Sequence, residues 1–336
     1  LRALDLVQPD ICILSEKELW PNFLGLCKLR HIPVLVVNGI VSNNRISYVK
    51  WAGPFLRWLY GLVSFFSVQT DRDKKRLQLL GVPGGRIAVD GNTKFDQARA
   101  ETGKETSLAA LLGIEPEANI LVAGSTHNGE EKVVLNAFRR VLKKHPDARL
   151  ILAPRHPERA GQVAALAQQK GFRYLRRSEL DAVGAQTGAT ETGEHPVILL
   201  DTMGELSLAY RLSKAAFVGG SLVPDIGGHN PLEVVAEGRP VFFGPHMQSC
   251  QDIAGLLREN KVAHVVEGVS DLATWWQRAL ADPQWRDKIR RRTAEIMAAH
   301  QGGSVRAASR ASILLSDETQ QEQTFAEAGL PAGLDT

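Results

Sequence analysis

Six short stretches gather residue types that could act on a charged, hydroxyl-rich substrate. The richest is Phe217 to Gln251, FVGGSLVPDIGGHNPLEVVAEGRPVFFGPHMQSCQ. It begins as an apolar strand, passes through Gly219, Gly220, Gly227 and Gly228, and enters a helix. Asn230 is the expected N-cap, Pro231 suits the first helical position, Glu233 falls in the first turn, and Gly238 stops the helix after about Glu237. A glycine-rich loop feeding a helix N-terminus offers free backbone N–H groups and a positive dipole end, which suit an anion. The same signals also describe a capped helix with no ligand.

In Ile151 to Arg159, ILAPRHPER, a strand ends and Pro154, Arg155 and His156 follow at once. A guanidinium there suits a phosphate or a carboxylate. In Ala123 to Glu131, AGSTHNGEE, Ser125 and Thr126 follow a strand and Glu130 and Glu131 open a helix, so the hydroxyls serve either as caps or as ligand contacts. In Leu200 to Leu206, LDTMGEL, Gly204 allows close backbone approach and Glu205 could bond a ribose hydroxyl. In Ser15 to Asn22, SEKELWPN, Glu16 and Glu18 share a side if the chain is extended, a paired-carboxylate pattern for acid–base or charge-stabilising work. In Asp90 to Asp96, DGNTKFD, Lys94 sits in a Gly-Asn turn between the expected domains. His127, His156, His229 and His246 are scattered, and His229 is expected to be structural or substrate-adjacent, with no metal.

These residues need rigid elements to hold them. Short apolar runs at 11–14, 33–37, 65–68, 87–89, 120–123, 149–153, 197–200, 215–218, 240–243 and 263–266 read as strands. Between them, stretches such as Glu130 to Lys144 and Arg159 to Lys170 repeat apolar residues at three and four, the helical period. Strand–helix–strand repetition predicts doubly wound parallel sheets, whose ligands sit at the carboxyl ends of the strands. The expected division is an N-terminal domain to residue 105, a second Rossmann-like domain over 106–316, and a flexible tail over 317–336. Asp181 to Glu194 reads as a mobile surface loop.

The chain has 336 residues and a net charge of +3, too weak alone to argue for nucleic acid, which is not an expected partner. Three cysteines without a C-x-x-C pair support neither a zinc framework nor a disulfide scaffold. No stretch reaches the roughly 18–20 apolar residues of a membrane span. The opening LRALDLVQPDICILSE reads as the interior of an α/β domain, so upstream sequence is expected to be missing.

The combination ELWPN, GNTKFD, APRHPER, MGE and GGHNPLE, in that order, resembles the Kdo transferases, which move 3-deoxy-D-manno-octulosonic acid from CMP-Kdo to a lipid A precursor. The resemblance implies the GT-B architecture, two Rossmann-like domains facing a cleft, with the N-terminal domain truncated in this chain. It implies metal-independent transfer with no cofactor, at the cytoplasmic side of an anionic inner-membrane surface. By residue-for-residue matching, Pro154, Arg155, Met203, Gly204, Glu205, Asn230, Pro231, Leu232 and Glu233 hold CMP, while Glu16 and Lys94 stabilise the transition state. Lys17 departs from the family's usual Thr, and no residue matches its N-terminal general base, so this chain alone is expected to transfer Kdo poorly. Another GT-B enzyme using a UDP-sugar, or a non-catalytic CMP-sugar-binding remnant, stays open at this point.

Overall fold

The computed structural model describes residues 2–41, 49–97, 104–180 and 197–316. Two compact units are present, Leu1–Gln97 with His300–Thr336, and Ala98–Ala299. The expected loop at 181–194 and the tail at 317–336 lie outside the described residues.

The first unit is a four-stranded parallel sheet: β1 (Cys12–Ser15), β2 (Val34–Gly39), β3 (Phe65–Val68) and β4 (Ile87–Val89), in that spatial order. All four residues of β3 are buried, as a strand covered on both faces requires. The crossover helix Asp71–Leu79 starts where Thr70 accepts a hydrogen bond from the Asp73 amide, an N-cap. Leu6 is 84% exposed, whereas Leu4 packs into the core at 7%.

The helix Gly303–Leu315 belongs to this first unit, which corrects the expected extent of the second domain to residue 316. Three contacts tie it there. The Asp96 carboxylate accepts from the Gly302 and Ser304 amides at 2.7 and 2.6 Å. Buried Arg310 pairs with buried Asp90 at 3.3 Å. Ala311 and Leu314 cover the apolar patch of Leu35, Phe65 and Ala88.

The second unit carries seven parallel strands: β5 (Ile120–Thr126), β6 (Arg149–Pro154), β7 (Tyr174–Arg176), β8 (Val197–Leu199), β9 (Ala215–Val218), β10 (Val241–Phe243) and β11 (Ala263–Val265). Their order is β11-β10-β9-β5-β6-β8-β7. The chain runs outward from β5 to β6 on one side and returns with β9 on the other, so the topological switch point lies between β5 and β9. The helix Glu130–Leu142 opens on two glutamates, closes on Arg139 and Arg140, and buries Val134, Leu135, Ala137, Phe138 and Val141 at helical spacing. The expected fold class is therefore present, two α/β units built on parallel sheets.

Candidate functional site

The loops after β5, β6, β8 and β9 share the carboxyl edge of the second sheet, and the Glu130 carboxylate organises two of them. Its Oε2 accepts from the amides of His127 and Gly220 at 2.8 and 2.7 Å, and its Oε1 from those of Ser221 and Leu222 at 3.0 and 2.9 Å. Glu130 is 1% exposed, so these four amides are what replaces water around its charge. Neighbouring Glu131, equally buried, accepts from Arg159 at 2.8 Å and from the Thr126 hydroxyl at 3.2 Å. The glycines follow from this closeness. A Cβ on Gly219 would sit 2.5 Å from the Ser125 carbonyl oxygen and 2.6 Å from the Thr126 Cα, backbone atoms with nowhere to go.

Held in this way, His127 after β5 and His229 beyond β9 meet at the switch point, their Nε2 atoms 2.8 Å apart. His156, after β6, meets His127 edge-on at 5.7 Å. Burial, then the neighbouring His127, Arg155 and His156, push His229 down to about 4. Burial also lowers His127, with Glu130 and Glu131 opposing and His156 and Arg159 adding to the fall. The pair is therefore neutral at pH 7, one imidazole donating and the other accepting. Sequence reading treated these histidines as scattered. His127 and His156 each stand within two residues of a strand end, a placement visible in the sequence, whereas His229 lies eleven residues beyond β9.

Among the residues matched to CMP, Pro154 ends β6, and the Arg155 amide donates to Thr126 O at 3.0 Å. The Arg155 guanidinium is exposed and has no ion-pair partner among the described residues. The helix is Leu232–Ala236, so Pro231 stands at its N-cap position instead of its first turn and Asn230 one residue before the expected place, although Asn230 Oδ1 still accepts from the Leu232 amide at 3.1 Å. Glu233, raised by burial and lowered in part by Arg155, lies near that guanidinium. Met203 is 78% exposed, and Gly204 has φ +85°, a left-handed conformation natural to glycine. Glu205 is already engaged, by Arg177 at 2.8 Å and by the Thr202 hydroxyl, so a ribose would have to share it.

Glu16 and Lys94 belong to the first unit. Glu16 turns out of β1 at φ +59°, and its carboxylate meets the Lys94 ammonium at 2.6 Å. Lys94 is held by its own motif: its amide donates to Asn92 Oδ1 at 2.9 Å, Asn92 reaches Gln69, and Asn38 Oδ1 accepts from the Thr93 amide. The expected pairing of Glu16 with Glu18 does not occur, because the left-handed residue breaks the extended alternation that pairing needs, and Glu18 is exposed. Among the described residues no group of three His, Cys, Asp or Glu side chains is placed to hold a metal ion.

Residues 1–97 match the family described as 3-deoxy-D-manno-octulosonic-acid transferase (kdotransferase). Over 306 residues the chain is 32% identical to the 3-deoxy-D-manno-octulosonic acid transferase of Bordetella pertussis, covering 89% of this chain and 68% of that protein. The chain belongs to the Kdo transferase family. It is 36% identical over 275 residues to the transferase of Haemophilus influenzae, covering 79% of this chain and 62% of that relative. The chain thus spans about three fifths of the Haemophilus protein's length. Among solved structures, the C-terminal CMP-Kdo binding domain of WaaA from Acinetobacter baumannii superimposes with a TM-score of 0.51 at 28% identity, covering 58% of this chain and 96% of that domain. A UDP-GlcNAc 2-epimerase from Neisseria meningitidis, at 14% identity and a TM-score of 0.56, covers 89% of this chain and 77% of its own, and shares the fold alone.

Proposed function

We propose that this Kdo transferase chain acts in lipopolysaccharide synthesis, moving Kdo from CMP-Kdo to a lipid A precursor, with the second unit holding the donor. The observation that carries this is the exposed, unpaired Arg155 beside the neutral His127–His229 pair, at the switch point of a chain from this family. In the reaction, the bond from the Kdo anomeric carbon to the phosphate oxygen breaks, and its electron pair leaves with CMP. The acceptor hydroxyl oxygen bonds that carbon, and its proton passes to a base. The transition state is oxocarbenium-like, so a cation on the departing phosphate lowers the barrier. Arg155 supplies that charge. The amide end of the helix after Asn230, with Pro154, Met203, Gly204, Glu205 and Glu233, supports CMP. In the first unit, Glu16 fixes Lys94 for transition-state stabilisation.

A donor screen tests the reading: CMP-Kdo against UDP-sugars, with CMP release and product formation followed together. Turnover of a UDP-sugar and none of CMP-Kdo would overturn it.

The acceptor is an anionic lipid, and we assign the chain to the cytoplasmic face of the inner membrane as a peripheral protein. Among the described residues no helix is long and apolar enough to cross a membrane. The helix Val49–Gly61 instead presents Phe55 and Trp58, 50% and 51% exposed, beside exposed Arg57. Aromatic and basic side chains together suit a headgroup boundary. Failure to float with anionic vesicles at low salt would remove this assignment.

A further inference from the structure

At the opposite edge of the second sheet, where β5, β9 and β10 begin, lies a cavity of about 680 Å³. That volume lies within the usual range for small-molecule sites. It is lined by five cations, Arg211, Lys214, Arg239, Arg286 and Arg290 among them, and each is differently placed. Arg211 is satisfied by Glu237 through two contacts of 2.7 and 3.0 Å. Lys214 meets Glu117 at 2.6 Å, but that carboxylate is 91% exposed, so the pair is a solvent-screened one.

The remaining three are short of anions. Arg239 donates to the Arg211 carbonyl at 2.5 Å, while its Nε is buried with no partner. Arg286 spends one nitrogen on the carbonyls of Ala279 and Leu280, at 2.5 and 3.3 Å. Arg290 has no ion pair among the described residues, and its stem lies against Gly238, where a Cβ would come within 3.0 Å of the Arg290 Cγ. Burial first, then Arg290, lowers Arg239, with Arg286 adding to this and Glu237 and Glu117 opposing. The other acidic residues at the wall, Glu115 and Asp287, are both exposed. Arg239, half-buried with its Nε unpartnered, stands beside two more guanidiniums, and none of the three has a carboxylate within ion-pair distance among the described residues, so an oxyanion would complete the electrostatics of the site.

We propose that this cavity is a second ligand site, separate from the donor loops, that takes a small phosphate-bearing molecule on Arg239, Arg286 and Arg290. The proposal does not rest on the assignment of CMP to the carboxyl edge. Such a ligand would bind while the donor loops are occupied, which is the arrangement an effector site needs.

Inorganic phosphate is the probe, and its effect on thermal unfolding is read in the full chain carrying Arg155→Ala, which weakens any phosphate contact at the donor loops. Phosphate should raise the melting temperature along a saturating curve that sodium chloride at equal ionic strength does not reproduce. Adding Arg290→Gln, at an exposed position, should weaken that phosphate binding at least tenfold, with the unfolding transition in phosphate-free buffer as the check on the fold, and Arg239→Gln should do the same. In the chain with Arg155 restored, Arg290→Gln should leave CMP affinity unchanged. No saturable phosphate effect beyond that of chloride, or one untouched by Arg290→Gln and Arg239→Gln, would overturn the proposal.

Discussion

His127 and His229 stand with their Nε2 atoms 2.8 Å apart and their rings within 10° of parallel, although 102 residues separate them in the chain. One proton serves both nitrogens, and a second would make one ring a cation and set two N–H groups against each other. His229 is held at about 4 in the folded protein, below the ordinary histidine value of 6.5. The unfolded chain therefore takes up protons first as the solution is acidified. The contribution of this pair to stability is complete above pH 6.5 and is lost as pH falls toward 4. Urea unfolding at a series of pH values should show a decline on the order of 1–3 kcal/mol across that window. His229→Gln should make the decline shallower without abolishing it, because burial also holds His264 at about 4; an unchanged slope would place the responsible group elsewhere.

Glu130 bears four amide contacts and no cation, so its removal should be felt as the loss of a charged acceptor from the interior. Glu130→Ala leaves the amides of Gly220, Ser221 and Leu222 without their acceptor, and should cost about 3 kcal/mol in urea unfolding. It should also weaken CMP binding, since the glycine-rich loop loses its anchor. A variant as stable as the parent would mean that water reaches these amides.

Arg155→Ala should weaken CMP binding by about 1.5–3 kcal/mol, the range for a charge-assisted contact. Gly228→Val should act in the same direction. Gly228 has φ +78°, and a Cβ there would meet the Met247 sulfur and stand 2.9 Å from the His246 carbonyl oxygen. Calorimetry with CMP decides both, and unchanged affinity in the pair of variants would refute the donor-site assignment.

Glu16→Gln keeps the size of the side chain but removes the charge that meets Lys94 at 2.6 Å. In a transferase preparation active on CMP-Kdo, it should lower kcat by roughly 10²–10³-fold while leaving CMP affinity within twofold. A fall in CMP affinity with kcat preserved would make Glu16 a donor-binding residue.

The sheets were legible because parallel strands covered on both faces are written as local apolar runs, and ten strands stood out, even β1, which is only half-buried. The strand Tyr174–Arg176 did not, since it is three half-buried residues at the sheet margin with an arginine among them. Asn230 and Pro231 announced their helix because capping is decided within a turn or two. Nothing local marks Arg310 as the partner of Asp90, 220 positions away, and the apolar pattern of 303–315 fits a helix on either unit. The role of Glu130 was hidden for the same reason. Its sequence position says helix start, while its four amides come partly from a loop about 90 residues downstream.

The order of synthesis runs against the order in which the first unit can be finished. Residues to Gln97 are made early, yet Ala311 and Leu314, which cover Leu35, Phe65 and Ala88, come more than 200 positions later. At synthesis rates of about 5–20 residues per second that interval is roughly ten to forty seconds. The whole second unit, Ala98–Ala299, leaves the ribosome during it and can fold first. A nascent chain arrested before residue 300 should bind an apolar dye or a chaperone through this uncovered sheet face, and release it once the segment 303–315 emerges. The helix Gly303–Leu315 is thus a late closing step for a sheet synthesised long before it.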